Sequence, residues 1–159
     1  MKSSLTLQSH SPEETHGVGR EVGARLRGGE IISLIGPLGT GKTCFTQGIA
    51  IALGIPDASS PSYVLITQSE GRLRLYHVDA YRLDPIGVVI QETGIEDCFD
   101  DSSICVIEWA DRIMEWIPSE QLEIRFAHEK NGRRMEFHPH GKRYRSLVKE
   151  LDSLVSPRN

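Results

Sequence analysis

What the chain lacks narrows it first. No apolar run in its 159 residues approaches the roughly 18 needed to cross a bilayer. Met1 to His10 holds no apolar stretch of the kind a secretory leader carries. Neither a membrane role nor export is therefore expected. Cysteine is scarce and odd in number (Cys44, Cys98 and Cys105), with no Cys-x-x-Cys spacing. That argues against a disulfide framework or a zinc knuckle and for a reducing cytoplasm. Repeats and low-complexity tracts are missing, which excludes solenoids and fibres. An excess of positive charge is missing too: 18 Lys and Arg stand against 22 Asp and Glu, a net of −4. A generic basic nucleic-acid binder is not expected.

What is present fits one ordinary domain. Hydrophobic residues make up 38% of the chain and charged residues 25%, enough apolar surface for a real core at this length. The charge is segregated. Residues 79–123 hold twelve acids and two Arg, and residues 130–149 hold seven Lys or Arg and one Glu. Such runs are either solvated faces or docking surfaces for charged partners.

The pattern predicts an α/β domain. Leu5 and Leu7 alternate as a short edge strand. Ser11-Pro12-Glu13-Glu14 reads as a helix start with a capping box, and Val18, Val22 and Leu26 form one stripe ending at Gly28-Gly29. Ile31 to Ile35 is a buried strand, followed by a glycine-rich turn and a helix over about 42–53. Residues 63–68 and 73–78 predict a hairpin, 85–99 an acidic helical stretch, and Ile104 to Ile107 a second buried strand. Leu122-Ile124-Phe126 and Met135-Phe137 predict an antiparallel pair turning at Asn131-Gly132. Tyr144 to Val155 predicts a helix with Leu147, Leu151 and Leu154 on one face. The expected fold is a three-layer P-loop NTPase-like sandwich with a mixed, partly parallel sheet. Residues 1–141 are read as the single domain and 142–159 as a basic helical tail.

The chemistry centres on Gly36-Pro37-Leu38-Gly39-Thr40-Gly41-Lys42-Thr43, which satisfies G-x-x-x-x-G-K-[ST] at every fixed position. Chance would place such a match in roughly one chain in 200 of this length. Glycines let successive N–H groups turn toward phosphate oxygens, and the following helix aims its positive end at the same anion. Gly36, Leu38, Gly39, Thr40, Gly41, Lys42, Thr43 and Cys44 are therefore expected around a nucleotide. Lys42 would reach the outer phosphates and Thr43 would ligate Mg²⁺.

Such a site needs an acid at the end of a neighbouring strand. Glu108, after Ile104-Cys105-Val106-Ile107, is the better magnesium or water ligand, and Asp79, after 73–78, the better sensor or base. No Asn-Lys-x-Asp guanine reader occurs, and Asp84-Pro85-Ile86-Gly87 is too weak a match to replace it, so ATP is expected. Trp109 can stack on a base or partner, or pack in the core. Ser60-Pro61-Ser62-Tyr63 fits a switch segment or a turn. His138-Pro139-His140 is read as a loop, because two histidines alone make a poor metal site.

These motifs, in this order, resemble the TsaE family of bacterial ATPases of tRNA threonylcarbamoyladenosine biosynthesis. The resemblance runs from about Ser11 to Phe137 and rests on the P-loop, Ser60-Pro61-Ser62-Tyr63, His77-Val78-Asp79-Ala80-Tyr81-Arg82-Leu83 and Ile107-Glu108-Trp109-Ala110-Asp111. It implies a small ATPase working with TsaD and TsaB, which install threonylcarbamoyl on the adenosine 3′ of the anticodon and meet tRNA on its behalf. It implies that Lys42 holds phosphate, that Thr43 and Glu108 hold Mg²⁺, and that Asp79 serves hydrolysis. Ser60, Ser62, Arg82 and Trp109 join the nucleotide site. Pro37 and Ser62 depart from the family's common Asp and Thr, and Pro37 removes a loop N–H. Two other readings share the P-loop: a small-molecule kinase of the shikimate-kinase type, and an ATP-dependent switch without catalysis. The basic 130–149 run is a candidate contact for tRNA or an acidic partner face.

Overall fold

The computed structural model describes residues 4–56, 66–81 and 94–155. Seven strands form one sheet: β1 (Leu5–Ser9), β2 (Ile31–Ile35), β3 (Ile66–Ser69), β4 (Arg74–Asp79), β5 (Ser103–Glu108), β6 (Gln121–Glu129) and β7 (Gly132–His140). Their order across the sheet is β1-β7-β6-β2-β5-β4-β3. β2, the strand leading into the P-loop, lies at the centre, parallel to both β5 and β6, and β5 is parallel to β4. The β3–β4, β6–β7 and β1–β7 pairs are antiparallel, so the sheet is mixed as expected.

Period-two alternation divides the core. Ile32, Leu34, Ile104 and Val106 face one side, where α1 (Pro12–Gly23), α2 (Lys42–Ala52) and α3 (Lys142–Val155) pack. Ile31, Cys105 and Ile107 face the other. There, among the described residues, the cover is short 3₁₀ turns, Ile95–Cys98, Ala110–Arg112 and Met114–Trp116. The expected acidic helix lies partly outside the described residues, and its described end is the first of these turns.

Local chemistry explains the helix starts. Ser11 Oγ accepts the Glu14 N–H at 3.1 Å, and the Glu14 carboxylate reaches back to the His10 N–H at 3.3 Å, one residue earlier than a capping box requires. α1 stops at Gly23, short of the expected Gly28, yet Leu26 is buried just beyond it. α1 and α2 touch backbone to backbone: a Cβ at Gly19 would sit 2.2 Å from the Phe45 carbonyl oxygen, and one at Gly48 2.2 Å from that of His16.

α3 docks Tyr144, Leu147, Val148 and Leu151 into the main core, and Tyr144 Oη accepts the Ile31 N–H at 2.9 Å. Leu154, expected on that face, is 50% exposed. The β6–β7 turn is Lys130-Asn131, with Asn131 at φ 68°, one residue before the expected Asn131-Gly132. His138 and His140, expected in a loop, belong to β7.

Candidate nucleotide-binding cleft

The loop between β2 and α2 is shaped by its glycines. At Gly36 a Cβ would lie 2.4 Å from the Phe126 carbonyl oxygen, so the loop can pass β6 only without a side chain. Gly41 caps α2 at φ 99°, a left-handed conformation, and offers no side-chain acceptor to the first-turn N–H groups. Those groups remain available to an anion, and no acid in the first turn competes.

Lys42 opens α2 and is 95% buried. Its Nζ donates to the Gly36 carbonyl and, at 3.1 Å, to that of Pro37. The same ammonium lies 3.8 Å from the centroid of the Trp109 ring. Burial pulls the Lys42 pKa below its ordinary range, opposed by Glu108, Asp111 and Asp79. Thr40, with its Oγ1 donating to the Pro37 carbonyl at 2.7 Å, shapes the loop from within.

The strand-end acids arrive through register. Asp79 stands opposite Glu108, and His77 opposite Val106, so His77, Asp79 and Glu108 share the helix-side face with Leu75 and Ile104. Glu108 Oε1 accepts the Thr43 hydroxyl at 3.0 Å, and Oε2 meets His77 Nε2 at 2.5 Å. Asp79 Oδ1 accepts the Tyr81 N–H at 3.0 Å, which fixes the carboxylate at the strand end. Trp109 follows Glu108 at φ 59°, a left-handed conformation that costs a large non-glycine residue on the order of 1–3 kcal/mol. The turn it makes brings its ring 4.8 Å from that of Tyr81 and under Lys42.

These groups line a cleft of about 780 Å³, within the size range of small-molecule sites. Leu38, Gly39, Thr40, Gly41, Lys42, Thr43, Cys44, Asp79, Glu108 and Trp109 all border it. Gly36 does not; its carbonyl holds Lys42 instead. Ser60, Ser62 and Arg82 lie outside the described residues.

Sequence reasoning missed the far wall, made by Ser9 to Pro12 at the start of α1 and by Asn131 to Arg133 at the β6–β7 turn. The hairpin is tied to the P-loop: Arg133 Nε donates to the Gly39 carbonyl at 2.8 Å and His128 Nε2 to that of Leu38 at 3.2 Å. Nothing local in the sequence marks these contacts, which join residues 90 and 94 positions apart. His77, quoted above only as part of a motif, is marked further by its place: a polar residue at an inward position two before Asp79.

The cleft can be set beside known proteins. The family model described as threonylcarbamoyl adenosine biosynthesis protein TsaE matches residues 9–135. A curated protein of that biosynthesis from Bacillus subtilis is 35% identical over 150 residues, covering 92% of this chain and 93% of that protein. One from Treponema pallidum is 38% identical, over 73% of this chain and 86% of that protein. The crystal structure of YdiB from Bacillus subtilis superposes with a TM-score of 0.81 at 33% identity, covering 97% of each chain. A match that begins at the cleft wall in β1, takes in the P-loop and both strand-end acids, and closes in β7 leaves one assignment: the chain belongs to the TsaE family, a P-loop, nucleotide-binding, ATPase-type family.

Proposed function

We propose that this chain hydrolyses ATP with Mg²⁺ in support of threonylcarbamoyladenosine formation on tRNA, acting in the cytoplasm with TsaD and TsaB. The relatives are named for that biosynthesis. The observation that carries the nucleotide reading is the convergence of the α2 N-terminus, Lys42, Thr43 and Glu108 on one cleft. The phosphates lie along the loop N–H groups and Lys42, whose Nζ exchanges the Gly36 and Pro37 carbonyls for phosphate oxygens. The base and ribose take the far wall, where Ser9 to Pro12, Cys44 and Asn131 to Arg133 supply small polar groups around apolar surface.

The Thr43 hydroxyl and the Glu108 carboxylate are hard oxygen donors already 3.0 Å apart, and two protein oxygens are what Mg²⁺ takes beside phosphate and water. When bound, the ion neutralises charge developing on the phosphoryl group. Asp79 orients a water at the outer phosphate and takes its proton; its neighbour Trp109 keeps Lys42 in line. Ser60, Ser62 and Arg82 complete the site by family resemblance. Among the described residues lining the cleft, Lys42 and Arg133 are the lysine and arginine side chains, and Arg133 is engaged with Gly39. With Lys42 and, by family resemblance, Arg82 as the cations at the phosphates, turnover alone is slow, and a partner supplying a further cation accelerates it.

The test is ATP turnover by the purified chain alone and with TsaD–TsaB. Slow turnover alone, acceleration by the pair and loss of both in Lys42→Ala are expected. Absence of turnover in both conditions would refute hydrolysis.

A further inference from the structure

His77 has no role in the chemistry described so far, yet it is buried and hydrogen-bonded to a residue that lines the cleft. It is 97% buried on a strand face it shares with Leu75, Ile104 and Val106. A histidine in such a place costs desolvation unless something returns it. Among the described residues its hydrogen-bond partner is Glu108 Oε2, at 2.5 Å. Its other ring nitrogen, Nδ1, is buried and meets no polar protein atom among the described residues. The hydrogen bond to the carboxylate is what holds the ring at this inward position.

The carboxylate is divided between two donors. Oε2 takes the His77 Nε2–H, and Oε1 takes the Thr43 hydroxyl. With Oε2 held, the carboxylate cannot rotate about its last bond, and Oε1 stays aimed at Thr43. We infer that His77 is a positioning residue for the cation-binding pair: by holding Glu108 Oε2 it presets Oε1 and the Thr43 hydroxyl to receive one divalent ion beside the nucleotide phosphates. This rests on the reading of Thr43 and Glu108 as the magnesium ligands. His77 itself touches neither ion nor substrate. Partners of this kind typically change metal affinity about 10–100-fold when removed.

The experiment measures ADP binding by calorimetry on the full chain, in EDTA and across a Mg²⁺ titration, with Mn²⁺ binding to the ADP complex read by electron paramagnetic resonance. His77→Gln carries an amide nitrogen to the position of Nε2, whereas His77→Asn places it near Nδ1, too far from Glu108. In wild type, Mg²⁺ tightens ADP binding. In His77→Asn the Mg²⁺ and Mn²⁺ half-saturation points rise about 10–100-fold while ADP affinity in EDTA is unchanged. His77→Gln stays close to wild type. The inference is overturned by wild-type metal binding in His77→Asn, by equal losses in both variants, or by loss of ADP affinity in EDTA, which marks a role in folding alone. An absence of any metal effect on wild type overturns the magnesium reading of Thr43 and Glu108 as well, and that result is distinct from the other three.

Discussion

Replacing Tyr144 by Phe removes one oxygen from the core and leaves the ring where it is. Tyr144 is 98% buried, and its hydroxyl accepts the N–H of Ile31, the first residue of β2. Ile31 is itself 94% buried, so the variant takes from its N–H the acceptor it has in wild type. An orphaned buried donor costs about 1–3 kcal/mol. For a domain of 159 residues, at about 3 °C per kcal/mol, the melting midpoint should fall by about 3–9 °C.

The pH dependence gives a second reading of the same bond. Burial raises the Tyr144 pKa above its ordinary 10.0. A raised phenol contributes stability fully below the unfolded pKa and loses it as pH climbs through the folded one. The gap between wild type and Tyr144→Phe should be constant from neutral pH to about 9 and shrink above about 10. Thermal melts followed by circular dichroism across that range suffice. Nucleotide affinity should not change, because Ile31 lies at the opposite end of β2 from the P-loop. An unchanged midpoint at neutral pH would refute the reasoning.

The remaining predictions are briefer. Gly17→Ala and Gly48→Ala sit on the two facing helices but should differ in sign. Nothing lies within 4 Å of a Cβ at Gly17, so alanine there should add about 0.5–1 kcal/mol from helix propensity, whereas a Cβ at Gly48 meets the His16 carbonyl and should lower the melting midpoint sharply. Cys44 is the only partly exposed thiol and should be the one alkylated in the folded protein. Burial, with Glu13 nearby, raises its pKa, so the alkylation rate should keep climbing past pH 9.0, and bound ADP should slow it; mass mapping of the labelled cysteine checks both.

The parts of the fold legible in the sequence are those whose cause is local. The P-loop, the Ser11 cap and the apolar run of β5 each carry their own chemistry within a few residues. The α1 terminus was misjudged because Leu26 keeps the helical stripe in phase although the chain has left the helix; burial, not helicity, is what the stripe reports. Leu154 illustrates the converse: it keeps the period of Leu147 and Leu151, but the helix has run past the sheet it packs on. The cleft's phosphate end was readable because motif spacing encodes it. Its far wall was not, because Arg133 and His128 act on backbone carbonyls, which have no residue identity to recognise. His77 falls between: its inward position was predictable, its partner Glu108 only from strand register.

The charge segregation also changes meaning. Arg134 pairs with Glu129 and Glu136, and Arg133 holds Gly39, so the basic run is partly neutralised within its own hairpin. In the acidic run, Glu108 and Asp79 turn inward to the cleft. What remains for a partner is smaller than the sums suggest.

β1 has one neighbour in the sheet, β7, and pairs with it along its whole length, Leu5 opposite Phe137 and Ser9 opposite Arg133. A chain leaving the ribosome therefore displays its phosphate-binding turn long before the wall that encloses a nucleotide exists. β2 gains its parallel neighbours when β5 and then β6 emerge, but β1 has no partner in the sheet until β7 follows them. Tight nucleotide binding is thus a property acquired only once β7 has joined the sheet, and acquiring it fastens β1 to a strand more than a hundred residues later.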